Sequence, residues 1–281
     1  RAIKSVLGQS HADFELLVVD DGSVDGTEHY VASCRDARVR YIRHEQNRGQ
    51  NAALNTGLEG ARGTFVSFLD SDDEWDAGML EAVIGKFRSD GELGWVHTAF
   101  RVKSTTGAVE PHMGSTLEGW VYREALEEGA VSPPTTLSVR RTCFDTVGPF
   151  DLDVVVGQDD VMCLKLARSF KAGRVNDVLA TIHCDGGDRV SQDQALAAEG
   201  YYRLHEKFRA DIVAHFGRAR MAQHYTHAGR LFLDVGHRRM AFIAHLKSLA
   251  MGACPSAIPR IGFSLLPRRW QQRVWDLRHR Q

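Results

Sequence analysis

FELLVVDDGSVDGT (residues 14–27) is the stretch on which the fold turns. Phe14 to Asp20 form a short apolar, Val-containing run, which reads as a strand buried on both faces of a parallel sheet. The run empties into Asp20-Asp21-Gly22-Ser23, residues suited to an Asx turn. The same figure recurs at GTFVSFLD (63–70), a strand that closes on Asp70-Ser71-Asp72-Asp73. VRYIRH (39–44) and LGWVHTAFRV (93–102) are further strand candidates. Helices fit between them: Gly26 to Arg35, Asn51 to Arg62, and a segment through Phe87 that Asp76 caps. Met79, Leu80, Val83, Ile84 and Phe87 form the inward stripe of that last helix. Such alternation predicts right-handed βαβ units on a mostly parallel sheet, with ligands beyond the carboxyl ends of the strands. Both acidic clusters stand at such ends.

At the start, RAIKSVLGQS reads as the body of a helix, with Ile3, Val6 and Leu7 on one side. The strand that should feed it is absent, so an N-terminally truncated sheet lacking its first strand is expected. From about residue 193 helical periodicity takes over, with helices near 195–216, 218–235 and 238–251 and a basic one from Arg268. Gly217, Gly236 and Pro255 punctuate them. The expected organisation is an α/β domain over 1–192 and a basic, helical C-terminal region over 193–281.

The composition is globular: 281 residues, 43% hydrophobic and 25% charged. No run approaches the ~18 apolar residues needed to cross a bilayer, and residues 1–7 lack the core of a secretory signal. Five cysteines (Cys34, Cys143, Cys163, Cys184, Cys254) form no CxxC pair. A zinc ribbon or disulfide scaffold is excluded, and a reduced, cytoplasmic setting is expected. The net charge of −1 hides an asymmetry: residues 201–281 hold 15 Lys and Arg against 4 Asp and Glu, the remainder 20 against 32. Arg-rich PRRWQQRVWDLRHR (267–280) places Trp270, Val274 and Leu277 at roughly helical spacing. This segment is suited to peripheral contact with an anionic membrane face or to docking on the catalytic domain.

Asp70, Asp72 and Asp73 repel one another unless a cation or hydrogen-bond donors offset the charge. Hard oxygen ligands without His or Cys suit Mg²⁺ or Mn²⁺, which also take phosphate oxygens and water. Gln158-Asp159-Asp160 opens a helical stretch, Val161 to Ser169. There an Asp either caps the helix or, aimed into a cleft, serves as general base on a hydroxyl. Trp95, Trp120 and Tyr122 fit either a ligand cleft or the core, and Pro133-Pro134-Thr135-Thr136 either a loop at that cleft or a rigid turn.

In order and spacing these segments resemble family 2 glycosyltransferases, inverting enzymes of the GT-A fold. In that family a helix ending SVLxQ leads into a strand and VDDGSxDGT; here SVLGQS (5–10) leads into FELLVVDDGSVDGT. The blocks NRGxxxAxNxG and ARGxxxxFLDSDDxW appear as NRGQNAALNTG (47–57) and ARGTFVSFLDSDDEW (61–75). RRTCFDTVGPFD (140–151) and GQDD (157–160) follow.

The resemblance implies metal-dependent transfer of a sugar from a nucleoside diphosphate, UDP- or dTDP-linked, to a glycan or lipid-linked acceptor. It implies a bacterial polysaccharide or cell-envelope setting, at the cytoplasm or the inner membrane face, with no nucleic-acid partner. It places Asp20, Asp21, Gly22, Ser23, Asn47, Gly49, Asn55, Asp70, Ser71 and Asp72 around the nucleotide-sugar. Asp21 would bind the base, Asp70 the ribose or a phosphate, and Asp72 the Mn²⁺ or Mg²⁺ ion. Asp159 would be the catalytic base, with His183 and Gln158 near the diphosphate or acceptor.

Three departures bear on this. Gln158 stands where the family usually has Glu, Leu54 replaces a common Arg, and the first strand is missing. The absence of a QxxRW-like motif favours single-sugar addition. Two alternatives compete. A catalytically impaired nucleotide-sugar-binding module is motivated by Gln158 and the missing strand. A sugar-1-phosphate nucleotidyltransferase shares a similar sheet but normally opens with a Gly-rich phosphate loop.

Overall fold

The computed structural model describes residues 1–112, 114–129, 132–184 and 192–252, within two compact units, Arg1–Asp188 and Arg189–Gln281. In the first unit α1 (Ala2–Leu7) precedes β1 (Leu16–Asp20), α2 (Thr27–Ser33), β2 (Val39–Arg43) and α3 (Gln50–Gly60). β1 and β2 are parallel, with Leu16 opposite Val39 and Asp20 opposite Arg43, and form a sheet of their own. The α2 crossover between them makes the parallel pairing possible, because a tight turn cannot join parallel strands.

Next come β3 (Phe65–Ser67), β4 (Glu74–Trp75), α4 (Met79–Ser89), β5 (Leu93–Lys103), β6 (Val109–His112) and α5 (Tyr122–Glu128). β7 (Leu137–Arg140), α6 (Phe144–Val147), α7 (Gln158–Ser169) and β8 (Lys171–His183) complete the unit. The second sheet runs β3-β7-β5-β8-β4, with β6 paired to β5. Only β5–β8 is parallel in it; β3–β7, β5–β7, β4–β8 and β5–β6 are antiparallel. The α/β architecture stands as expected, but the sheet is mixed rather than mostly parallel. The antiparallel partners escape the sequence because β4 has two residues and β7 four, too few to show a period. β8 is longer, yet its ladder jumps from Val175 opposite Thr98 to Val178 opposite Ala99, and the exposed Asn176 and Asp177 interrupt the alternation.

The core lies where α4 meets β5 and β8. Met79, Val83 and Phe87 of α4 are buried against Leu93, Val96, Phe100, Val175 and Ala180, with Val6 of α1 and Trp75 in the same cluster. Leu80 and Ile84 are half-buried, completing the expected stripe. Asp76 does not cap α4 with its side chain: its carboxylate pairs with Arg101 of β5, and only its carbonyl accepts the Met79 N–H, at 3.0 Å. The side chain at the start of α4 belongs instead to buried Gln9. Its Oε1 accepts the Leu80 N–H (3.0 Å), while its Nε2 donates to the carbonyls of Asp76 (2.8 Å) and Ser5 (3.1 Å). One amide thus satisfies an orphan donor of α4 and ties that helix to the end of α1. Trp95 is fully buried, so it belongs to the core, whereas Trp120 is exposed.

The second unit is helical: α8 (Gln194–Lys207), α9 (Arg209–Asp234) and α10 (Arg238–Ala250). Asp193 caps α8, its Oδ1 accepting the N–H groups of Ala195 (2.8 Å) and Leu196 (3.1 Å). Gly217, at φ 83° and ψ 168°, breaks α9 where the sequence places a helix boundary. Ala198, Ala228, Phe232, Ala241 and Ala244 form its core. The basic segment from Arg268 and Cys254 lie outside the described residues. No helix among the described residues is long and apolar enough to cross a membrane.

Candidate active site

The first acidic cluster is built as a scaffold. Asp20, at the end of β1, is buried, and its carboxylate accepts the Ser23 N–H at 2.7 Å and the Tyr41 hydroxyl. Burial opposes its ionisation, but these hydrogen bonds outweigh that and lower its pKa. Asp21 meets His44 Nδ1 at 2.6 Å and accepts the N–H groups of Arg48 (2.9 Å) and Gly49 (2.7 Å). His44 Nε2 in turn meets Thr56 Oγ1 at 2.9 Å. Burial works against the Asp21 charge, and the His44 and backbone contacts reverse it to a net lowering. These contacts tie Asp21 to the turn that launches α3.

Gly22 shows why that turn needs glycine. Its φ is +78°, and a Cβ there would lie 2.8 Å from the Gln46 carbonyl carbon and 2.9 Å from the Asn47 nitrogen. Gly22 and Asn47, predicted from separate motifs, are therefore in close approach. Asn47 Oδ1 also accepts the Gly49 N–H at 3.2 Å. Asn55 is bonded at both ends of its amide to the Phe150 backbone (2.9 and 2.8 Å). Asn51 donates to the carbonyls of Asp151 and Val154, each at 2.7 Å. Asn55 thus anchors the loop leading to Asp159.

The second cluster carries the chemistry. Asp70, Asp72 and Asp73 bring carboxylate oxygens within 4.8 Å of one another, the one such group of potential metal ligands among the described residues. Buried Asp73 is the inner member: it accepts the Thr135 hydroxyl at 2.5 Å and the His183 N–H at 3.0 Å. Thr135 lies in the buried 3-10 turn Pro134–Thr136, whose Thr135 carbonyl accepts the Trp75 indole N–H at 2.7 Å. The Pro-Pro-Thr-Thr segment is therefore a rigid turn that fixes the acidic loop. His183 ends β8, buried, with Nε2 2.8 Å from Glu74 Oε1. Ser71 and Asp72 are exposed on the outer side of the loop.

Asp70 and Asp159 share one electrostatic neighbourhood. Burial, then the charges of Asp73, Asp72 and Asp159, push the Asp70 carboxyl up to about 7, against a 2.9 Å hydrogen bond from Gln50 Nε2. Burial also raises the pKa of Asp159. Asp160 is pushed up to about 7 by burial and then by Asp159, and its Oδ1 is buried without a hydrogen-bond partner. Gln158 Nε2 donates to Gln50 Oε1 at 3.2 Å. Gln50 and His44 were not singled out in the sequence; their partners lie far along the chain, and no local pattern marks them.

Carboxylates beyond the strand ends of an α/β sheet, with half-buried Asp159 at the start of α7, have the layout of a GT-A-type domain. The model for glycosyl transferase family 2 matches residues 1–144, and the chain belongs to that family. It is 29% identical over 194 residues to an uncharacterised glycosyltransferase of Rickettsia conorii (strain ATCC VR-613 / Malish 7), spanning 68% of this chain and 32% of that protein's length. It is 30% identical over 181 residues to the putative teichuronic acid biosynthesis glycosyltransferase TuaG of Bacillus subtilis (strain 168), spanning 63% of this chain and 70% of that protein. The crystal structure of S. aureus TarS 1–349 in complex with UDP-GlcNAc has the same fold: the TM-score is 0.59 at 15% identity, over 94% of this chain and 85% of that one.

Proposed function

We propose that the chain is a divalent-cation-dependent inverting glycosyltransferase, moving a sugar from a nucleoside diphosphate to an acceptor hydroxyl with Asp159 as general base. The observation that carries this reading is the Gln50 bridge, which donates to Asp70 at 2.9 Å and accepts from Gln158 at 3.2 Å and so brings the residue before Asp159 to the acidic loop; the Asp159 charge is among those that raise Asp70. A base must stand beside the donor, and Asp70 and Asp159 come from segments far apart in the sequence.

The acidic loop fits a hard cation. Asp70 and Asp72 would hold it on the outer side, with Asp73, which accepts from Thr135 and His183, behind them. A small ligand set suits Mg²⁺ or Mn²⁺, which keep water and take phosphate oxygens. A cation held there would offset the charge that gathers on the departing diphosphate. Asp159 takes the proton of the acceptor hydroxyl as that oxygen attacks the anomeric carbon. The bond from that carbon to the diphosphate oxygen breaks on the opposite face, and one displacement inverts the configuration. The raised pKa of Asp159 suits a group that must hold a proton in passing.

A uridine diphosphate donor is supported by the UDP-GlcNAc-bound neighbour of like fold. A glycan acceptor is supported by the relative named for teichuronic acid biosynthesis. The nucleotidyltransferase alternative has no observation in its favour beside membership of family 2. Of the two grounds for the binding-module alternative, the Gln158 departure leaves Asp159 unchanged beside it.

The deciding experiment measures nucleotide release from a panel of nucleotide-sugars with Mn²⁺, Mg²⁺ or EDTA, beside Asp72→Ala and Asp159→Asn. Turnover of one donor that needs the cation and is lost in both variants is the expected result. Donor binding with no transfer to crude lipid or glycan acceptors would favour the binding module.

A further inference from the structure

Gln50, the first residue of α3, bridges the two halves of the site. Its Nε2 donates to Asp70 Oδ1 at 2.9 Å, and its Oε1 accepts from Gln158 Nε2 at 3.2 Å. The chain of donors runs one way: the NH₂ end of Gln50 faces Asp70 and its oxygen end faces residue 158, the arrangement a carboxylate acceptor calls for. Residue 158 must then be a donor. Gln meets that requirement and ionised Glu does not. With Glu at 158, either orientation of the Gln50 amide would set oxygen against oxygen, at Asp70 or at residue 158. Gln158 is thus the partner that Gln50 requires, in a site already holding Asp70, Asp72, Asp73, Asp159 and Asp160.

We propose that Gln50 is a positioning residue for sugar transfer: its amide, oriented by Gln158, holds the Asp70 carboxylate in the attitude in which it meets the donor. This rests on the reading of Asp70 as a donor-side residue. Gln50 acts through Asp70, so its loss weakens donor binding and leaves the attack itself largely intact.

The test combines a double-mutant cycle with a measurement that needs no turnover. Gln50→Ala raises the KM for the nucleotide-sugar about five- to tenfold, the scale of one hydrogen bond to a charged group in a part-exposed cleft, with kcat within about twofold. Gln158→Ala raises KM less, and the double variant is no worse than Gln50→Ala, because both changes break one chain. Gln158→Glu raises KM at least as much as Gln158→Ala. In the protein without donor or cation, the side-chain NH₂ resonances of Gln50, assigned by their loss in Gln50→Ala, shift in Gln158→Glu. Multiplied losses in the double variant, a KM for Gln158→Glu at or below the parent value, or unmoved Gln50 resonances would each overturn the proposal. If the parent protein turns over no donor while the Gln50 resonances shift as described, the transfer reading fails and takes this role with it. If the parent turns over and the resonances stay still, only the bridge fails.

Discussion

Thr135 and Asp73 lie 62 positions apart in the chain and meet at 2.5 Å, the threonine hydroxyl donating to Asp73 Oδ2. Both are buried, so Asp73 is the anchored root of the acidic loop while Asp70 and Asp72 stand outward from it. The same turn receives the Trp75 indole N–H on the Thr135 carbonyl. A loop carrying three carboxylates resists their repulsion because one of them is paid for by fixed donors.

Thr135→Val keeps the shape and removes the donor, leaving a buried carboxylate with one partner fewer. The expected cost is about 1–3 kcal/mol. That corresponds to a fall in Tm of roughly 2–4 °C per kcal/mol for a domain of this size. Turnover should fall more than stability does, because the loop bearing Asp70 and Asp72 loses its anchor. Thermal unfolding followed beside cation-dependent nucleotide release separates the two effects; an unchanged cation requirement and rate would show that Thr135 does not hold the loop.

Asp20 and Tyr41 set a pH signature. The carboxyl of Asp20 is held below its ordinary value, burial being outweighed by the Tyr41 and Ser23 hydrogen bonds. A folded pKa below the unfolded one contributes stability above the unfolded pKa and loses it as the pH falls through the folded one. Tyr41→Phe should therefore destabilise most near neutral pH, and the difference from the parent should shrink toward about pH 3. Urea unfolding at both pH values reads this directly. A difference that grows on acidification would refute the assignment.

Gly22→Ala tests the close approach of the first turn to the Gln46–Asn47 backbone. The left-handed φ of +78° and a Cβ 2.8 Å from a backbone carbon leave no flexible neighbour to yield. The substitution should cost more than the ~1 kcal/mol that a tolerated Gly→Ala change can gain, and the donor KM should rise as the 46–49 loop is displaced. Stability measurements at one temperature and donor titration suffice to check it.

The parts of this molecule that were legible in its sequence are those written locally. Strands ending in acid at Asp20 and Asp70, the α4 stripe from Met79 to Phe87, and the helix break at Gly217 each have a period or a punctuating residue. What was hidden depends on partners far along the chain. β8 is masked by the bulge at Asn176 and Asp177, and β4 and β7 are too short to have a period. Gln9 capping α4, His44 bracing Asp21 and Gln50 joining Asp70 to Gln158 are polar contacts made across loops, and a polar residue in a helix gives no local sign of its partner. Asp76 illustrates the reverse error: its position before α4 is right for a cap, but Arg101 on β5 offers its carboxylate a charged partner.

Asp159 and Asp160 are adjacent carboxylates with different expected roles. Asp159→Asn should lower kcat by about 10²–10⁴, the usual contribution of a general base, with donor binding retained. Asp160→Asn should cost much less in rate, and its effect should appear in the pH profile. Burial and then the Asp159 charge push Asp160 up to about 7, so Asp160 is still protonated in acid. Asp160→Asn therefore removes an ionisation near neutral pH from the kcat/KM profile and leaves the acidic limb near its parent position. A profile measured for the parent and both variants distinguishes them. If Asp160→Asn abolishes turnover while Asp159→Asn retains it, the base is Asp160 and the roles of the two residues exchange.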